Sequence, residues 1–251
     1  AEKAIKGAEA KGYKLWTNAE YATAWANDAS NGTKGEVLFE IVNTTDDSPG
    51  KESLGRLHSP SGYKDICLTS SFYALLNEDP ADVRLQLLEY SSKRAFVKKY
   101  QPQDGEDIMD ANIPLIRLSE AYLNAAEAAV KTGDNVSAAK YLNAIVSRAN
   151  PDNSVDGSTV SLSRVMTERR KELVGEGHRF FDALRDGGSV DRHDVKGQSK
   201  ISSTKHYITK AEKMKFSWDY YKCVLAIPKA EMDANGNMVQ NPVYDSAKED
   251  E

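Results

Sequence analysis

The chain has 251 residues, 40% apolar and 28% charged, with 33 Lys and Arg against 38 Asp and Glu for a formal charge of −5. That is long enough to bury a core and too apolar to stay disordered throughout, and its mild acidity gives no footprint for nucleic acid. No stretch approaches the roughly 18 consecutive apolar residues of a membrane span, and two cysteines, Cys67 and Cys223, supply neither a disulfide framework nor a cysteine zinc site. Two free thiols or one bridge both fit.

Ala1 to Lys11 reads as a helix rich in Ala, Lys and Glu, with Gly12 as its C-terminal cap and no capping residue in front. The chain is therefore read as a piece of something longer, and this helix is expected to carry an apolar stripe without a partner. Thr17 caps a second helix through Tyr21 and Trp25, ending near Asn31-Gly32. Glu36 to Val42 is the clearest strand. Residues 43–65 form a long polar loop rich in Pro and Gly, a length that favours function. A helix is expected over Ser70 to Asn77 and a strand over Arg94 to Tyr100.

Pro114 is read as a helix start. From it Leu115, Leu118, Tyr122, Ala125, Ala126 and Ala129 share an apolar face, while Arg117, Glu120, Asn124, Glu127 and Lys131 form a polar stripe. Gly133 ends this helix, and Asp134 caps the next, which carries Ala138, Leu142, Ile145 and Ala149. The pair, at 113–150, is similar to one tetratricopeptide hairpin, with Gly133 and Ala138 at that motif's turn and close-contact positions. One such unit cannot bury its own face, so further helices must pack on it.

Residues 161–187 read SLSRVMTERRKELVGEGHRFFDALRDG. A helix ending at Gly175 gives way to a charged turn, and Phe180, Phe181 and Leu184 begin a new apolar face. Glu168, Glu172 and Glu176 recur every four residues, a spacing that admits a glycosidase carboxylate pair. Arg169, Arg170, Lys171, Arg179 and Arg185 crowd the same segment, so structural ion pairs are the simpler account. His178, beside Arg179, is read as a packing histidine, because no Ser or Cys nucleophile motif stands near it. Asp233, Asn235 and Asn237 fit a calcium loop poorly, with Gly236 out of place and Tyr244 where Glu belongs. Asp191, His193, Asp194 and His206 lack metal-ligand spacing.

That segment, with IPLIRLSEAYLNAAEA at 113–128 and VLAIPKAEMDANGNMVQNPVY at 224–244, resembles the SusD/RagB family of surface glycan-binding lipoproteins of Bacteroidota. The resemblance spans residues 1–245 but only the C-terminal part of the family pattern. It implies a mainly α fold, an α/α superhelix of tetratricopeptide-like hairpins with a few short strands. Residues 1–251 would form one region, with loop-rich segments at 43–65 and 186–223. It also implies capture of an oligosaccharide or glycopeptide without catalysis or cofactor. The cargo would pass to a SusC-type TonB-dependent transporter in the outer membrane, with attachment only through a lipid anchor on a preceding segment.

Sugar binding needs aromatic faces and fixed polar groups. Tyr63, with Arg56, His58 and Lys64, lies in or beside the long loop, and Trp218, Tyr220 and Tyr221 precede an expected VLAIP strand. Arg56, His58, Tyr63, Trp218 and Tyr220 are the candidate ligand contacts. Glu168, Arg169, Glu172, Glu176, His178 and Arg179 are read as a structural motif. Two other functions remain open. A protein-binding helical adaptor would show a groove on the concave helix face, and an enzyme would show two convergent carboxylates.

Overall fold

The computed structural model describes residues 1–26, 35–102, 105–193, 201 and 214–244. It divides into two compact units, Ala1–His178 with His193–His206 and Arg179–Arg192 with Tyr207–Glu251. The architecture is mainly α, as the sequence leads one to expect.

In the first unit the core is helical. α5 (Leu118–Lys131) and α6 (Asn135–Ala149) lie against each other, joined by a turn in which Gly133 adopts φ +80°. Alanines at the contact let the backbones approach: Ala126 and Ala138 are fully buried, beside Leu118, Leu123, Leu142 and Ile145. α7 (Leu162–Glu172) packs on both helices, and Ser161 caps it by accepting the Arg164 N–H at 3.2 Å. α1 (Glu2–Ala10) lacks a side-chain cap, yet its stripe is not unpartnered. Ile5 and Ala8 are buried in this core, and Tyr141 and Tyr122 donate to Glu2 and Glu9 at 2.7 and 2.6 Å. α2 (Asn18–Tyr21) is one turn long, with a Thr17/Glu20 capping box. The expected end of that helix at Asn31-Gly32 lies outside the described residues.

The expected helix start at Pro114 is a strand. β1 (Val37–Ile41) pairs antiparallel with β4 (Ile113–Arg117), and α5 begins only at Leu118. Proline biases the residue before it away from helical backbone, and β1 supplies hydrogen bonds that a helix start at Pro114 would forgo. Leu115 is consequently exposed and Arg117 buried, the reverse of their places on the expected helix. β2 (Leu88–Ser91) and β3 (Arg94–Val97) form a hairpin whose turn residues Ser92 and Lys93 both have positive φ, 51° and 63°. The 43–65 segment is not all loop. It holds a 3-10 turn at Gly50–Glu52 and α3 (Leu54–His58), capped by Ser53. α4 (Ser70–Leu76) follows, capped by Thr69.

In the second unit, α8 (His178–Arg185) precedes a two-stranded ribbon of β5 (Ser189–Asp191) and β6 (Lys215–Ser217). α8 buries Asp182 and Ala183 and leaves Phe180 and Phe181 exposed, so its expected apolar face is inverted. The expected VLAIP strand does not form. Side chains occupy the place of a partner strand: Gln240 bonds both the N–H and the C=O of Ile227 at 2.9 Å, Asn241 donates to Leu225 O, and Tyr244 to Val224 O. Cys67 and Cys223 are free thiols.

Candidate functional site

The glutamates of α7 and its following turn anchor a buried ionic cluster. The spacing of four aligns Glu168, Glu172 and Glu176 on one face, and their sequence neighbours necessarily point elsewhere. Apart from Arg164, one turn back on α7, their partners therefore come from other elements. Arg148 of α6 lies 2.6 Å from Glu172 and 3.0 Å from Glu36. Arg117 grips Glu176 with two bonds of 2.7 and 2.8 Å, reaches Glu172 at 3.1 Å and also pairs with Glu36. Arg84 is held by both oxygens of Asp82, at 2.8 and 2.6 Å, and contacts Glu168 at 2.6 Å. Lys99 bonds Glu176 at 2.5 Å and the Glu172 carbonyl at 2.6 Å. With Arg164 on Glu168 at 2.7 Å, five carboxylates meet five cations.

Aromatic rings close the cluster. Arg148 lies 4.3 Å above the Tyr21 ring, and Lys99 and Arg117 each lie 4.7 Å from the Trp25 ring. Burial opposes ionisation of Glu172, but Arg148, Arg117 and Arg84 outweigh it and hold the carboxyl well below the usual carboxylate range. For Glu176 burial is likewise outweighed by Arg117 and Lys99, and for Glu168 by Arg84 and Arg164. None of the three is tuned to carry a proton near neutrality, which a general acid requires.

The cations beside these glutamates in sequence turn away from them. Arg169 bonds Asn124 at 2.8 Å and lies 3.5 Å from Glu120. His178 stands 3.4 Å from Arg169 and 3.7 Å from Glu120. Arg170 lies over Phe72, and the exposed Arg179 donates to Ser189 O at 2.9 Å. Sequence reasoning missed Glu36, Lys99 and Arg148 in the cluster and placed Arg117 on a helix surface. A lone charge flanked by apolar residues, as at Val83-Arg84-Leu85 and Ile116-Arg117-Leu118, is the signal that marks two of the buried cations.

The candidate ligand contacts divide between the units. In the first, Tyr63 is 44% exposed, with the Arg56 guanidinium 5.7 Å from its ring. His58 is not exposed on a loop. It ends α3 as a buried residue, its Nδ1 donating to Leu54 O at 3.0 Å and its ring 4.9 Å from that of Tyr100. In the second unit, Trp218 is 53% exposed, follows β6 directly and lies against Gly187. Tyr220 packs on Phe216 at 5.6 Å. Phe216 continues to Phe180 at 6.4 Å, and Phe180 to Phe181 at 5.5 Å, a row that joins two rings read as an apolar helix face to Phe216, which the sequence reading did not single out. Among the described residues no group of three or more His, Cys, Asp or Glu is arranged to hold a metal ion.

The SusD family model matches residues 87–244. The chain belongs to the SusD family. A candidate sugar-binding protein of Bacteroides vulgatus is 63% identical to this SusD-family chain, with a TM-score of 0.90 over 96% of this chain and 53% of its own. A SusD superfamily protein of the same species is 38% identical, with a TM-score of 0.81 over 96% of this chain and 53% of its own. More distantly, surface glycan-binding protein A of Bacteroides thetaiotaomicron, solved with laminarihexaose, is 21% identical, with a TM-score of 0.63 over 95% of this chain and 59% of its own. The chain thus spans about half the length of the solved relatives it matches. No curated protein matches it.

Proposed function

We propose that the protein captures an oligosaccharide or glycopeptide without cleaving it, and delivers it to a SusC-type TonB-dependent transporter for nutrient uptake. The observation that carries the binding step is the aromatic row on the second unit. Exposed rings of Phe181 and Phe180, continued by Phe216 and Tyr220, offer flat apolar faces on which sugar rings stack, and the same unit exposes Trp218 beside Gly187. Arg56 and Tyr63 offer a second such surface on the first unit. The ion-paired glutamates favour binding over hydrolysis, because a glycosidase keeps one carboxyl protonated. Delivery, outer-membrane location and a lipid anchor rest on family membership. No helix of the described residues is long and apolar enough to cross a membrane.

Calorimetric titration with laminarihexaose, maltohexaose, cellohexaose and xylohexaose tests the binding step, with product analysis after long incubation. Affinity is expected to be weak and to rise with chain length, since a few stacking contacts contribute only a few kcal/mol net. Trp218→Ala is expected to weaken binding without lowering the melting temperature. Released reducing ends would move the protein into the enzyme class.

A further inference from the structure

His58 has little surface of its own, yet it ends the helix that carries Arg56. The neighbouring backbone ties Tyr63 to the same helix: the Tyr63 N–H donates to Arg56 O at 2.9 Å, and the Ile66 N–H donates to Leu57 O at 3.0 Å. Gly62 lies so close to the Arg56 carbonyl that a Cβ there would run into it. The Arg56–Tyr63 surface therefore exists only while α3 and this turn stay folded, and its release is local unfolding that breaks these two backbone bonds. α3 is wedged by His58, whose Nε2 faces Gly175 at the contact where a Cβ would sit 3.7 Å away. Tyr100, its ring tilted against the imidazole, donates to Gly175 O at 2.8 Å and closes the same contact.

We propose that His58 is a positioning residue that holds the Arg56–Tyr63 surface in place while its ring is neutral, and that acid releases that surface. The inference rests on the glycan-capture reading for its meaning, but not for its mechanism. Nδ1 already carries the proton given to Leu54 O, so a second proton must go to Nε2, which faces Gly175. The ionisable groups on the elements packed there are Lys99 and Tyr100 after β3, Glu176 in the turn after α7, Asp110 in the 3-10 helix Ile108–Asp110, and Lys51 and Glu52 in the 3-10 turn Gly50–Glu52. Arg56 lies on α3 itself. Glu176 is engaged by Lys99 and Arg117. Burial first, and then Lys99, disfavour the imidazolium, while the bond to Leu54 works the other way; the net effect is a lowered pKa. A ring freed from the wedge regains the ordinary histidine value, so protons bind the released form more tightly and its population grows as pH falls below about 6.5.

Amide hydrogen exchange of Tyr63 and Ile66, corrected for intrinsic rates, tests the proposal in wild type and His58→Asn, the latter keeping a donor for Leu54 O. Between about pH 7.5 and about pH 5.5 wild-type protection is expected to fall several-fold, up to about tenfold, with no such fall in the variant. An NMR titration of the wild-type His58 ring serves if the variant does not fold: ring protonation must track the loss of protection. Protection independent of pH, or lost equally in His58→Asn, overturns the proposal. The hexasaccharide titrations at both pH values separate the two readings. Acid release with no glycan bound at either pH leaves the His58 anchor standing and removes glycan capture. Glycan binding at unchanged affinity and unchanged protection does the reverse.

Discussion

Oε2 of Glu172 lies 2.6 Å from Nη2 of Arg148, and both side chains are buried although neither helix alone would hide them. α7 contributes the carboxylate and α6 the guanidinium, and Arg117 arrives from the end of β4. The cluster is the joint at which these elements register. Glu172→Gln leaves the cations without their shared anion, and an uncompensated buried charge costs roughly 3–5 kcal/mol. The expected fall in melting temperature is roughly 10 °C by circular dichroism. A fall under about 2 °C would mean that the joint is dispensable.

Stability should follow the protonation of the same carboxylates. Glu168, Glu172 and Glu176 all have pKa values held below the usual range in the folded state, with burial outweighed by their cations. Such groups contribute stability that is present above the unfolded carboxylate pKa and lost as pH falls through the folded values. Urea midpoints should therefore drop progressively below about pH 4. The midpoint at neutral pH should change little between low and moderate salt, because buried pairs are poorly screened.

The β2–β3 hairpin carries strain that can be removed. Ser92 and Lys93 occupy left-handed backbone, at φ 51° and 63°, where the two-residue turn prefers Asn-Gly. The double substitution Ser92→Asn, Lys93→Gly is expected to stabilise the protein by about 1 kcal/mol, read as a higher urea midpoint.

Two glycines should respond in opposite senses to alanine. Gly7 lies on the exposed side of α1, where an added methyl would meet nothing within 4 Å, so Gly7→Ala should stabilise by about 0.5–1 kcal/mol. At Gly62 the added methyl meets the Arg56 backbone. Gly62→Ala should displace the Tyr63 turn, seen as lost amide protection at Tyr63, with a lower melting temperature.

The helical hairpin should behave as an ordinary close-packed core. Leu142 is fully buried between α5 and α6. Leu142→Ala is expected to cost about 3 kcal/mol in thermal unfolding, transfer loss and cavity together.

Much of this was decided locally, and was legible for that reason. The α5–α6 hairpin announces itself through Gly133 and the stripe of Ala138, Leu142, Ile145 and Ala149, because helix periodicity and turn chemistry are properties of neighbouring residues. The α7 glutamates at spacing four showed a shared face for the same reason. Which cations meet them was settled by tertiary structure. Arg84, Lys99, Arg117 and Arg148 lie on four separate stretches of chain, and a carboxylate carries no local mark of the partner that will neutralise it. Residues 113–117 became a strand because β1 offers its hydrogen bonds from more than seventy residues away. Residues 224–227 lost their strand because side chains of Gln240, Asn241 and Tyr244 bond the backbone instead. Burial of His58 and exposure of Phe181 are equally nonlocal: the sequence supplies the ring, and the packing around it decides whether that ring holds the fold or faces solvent.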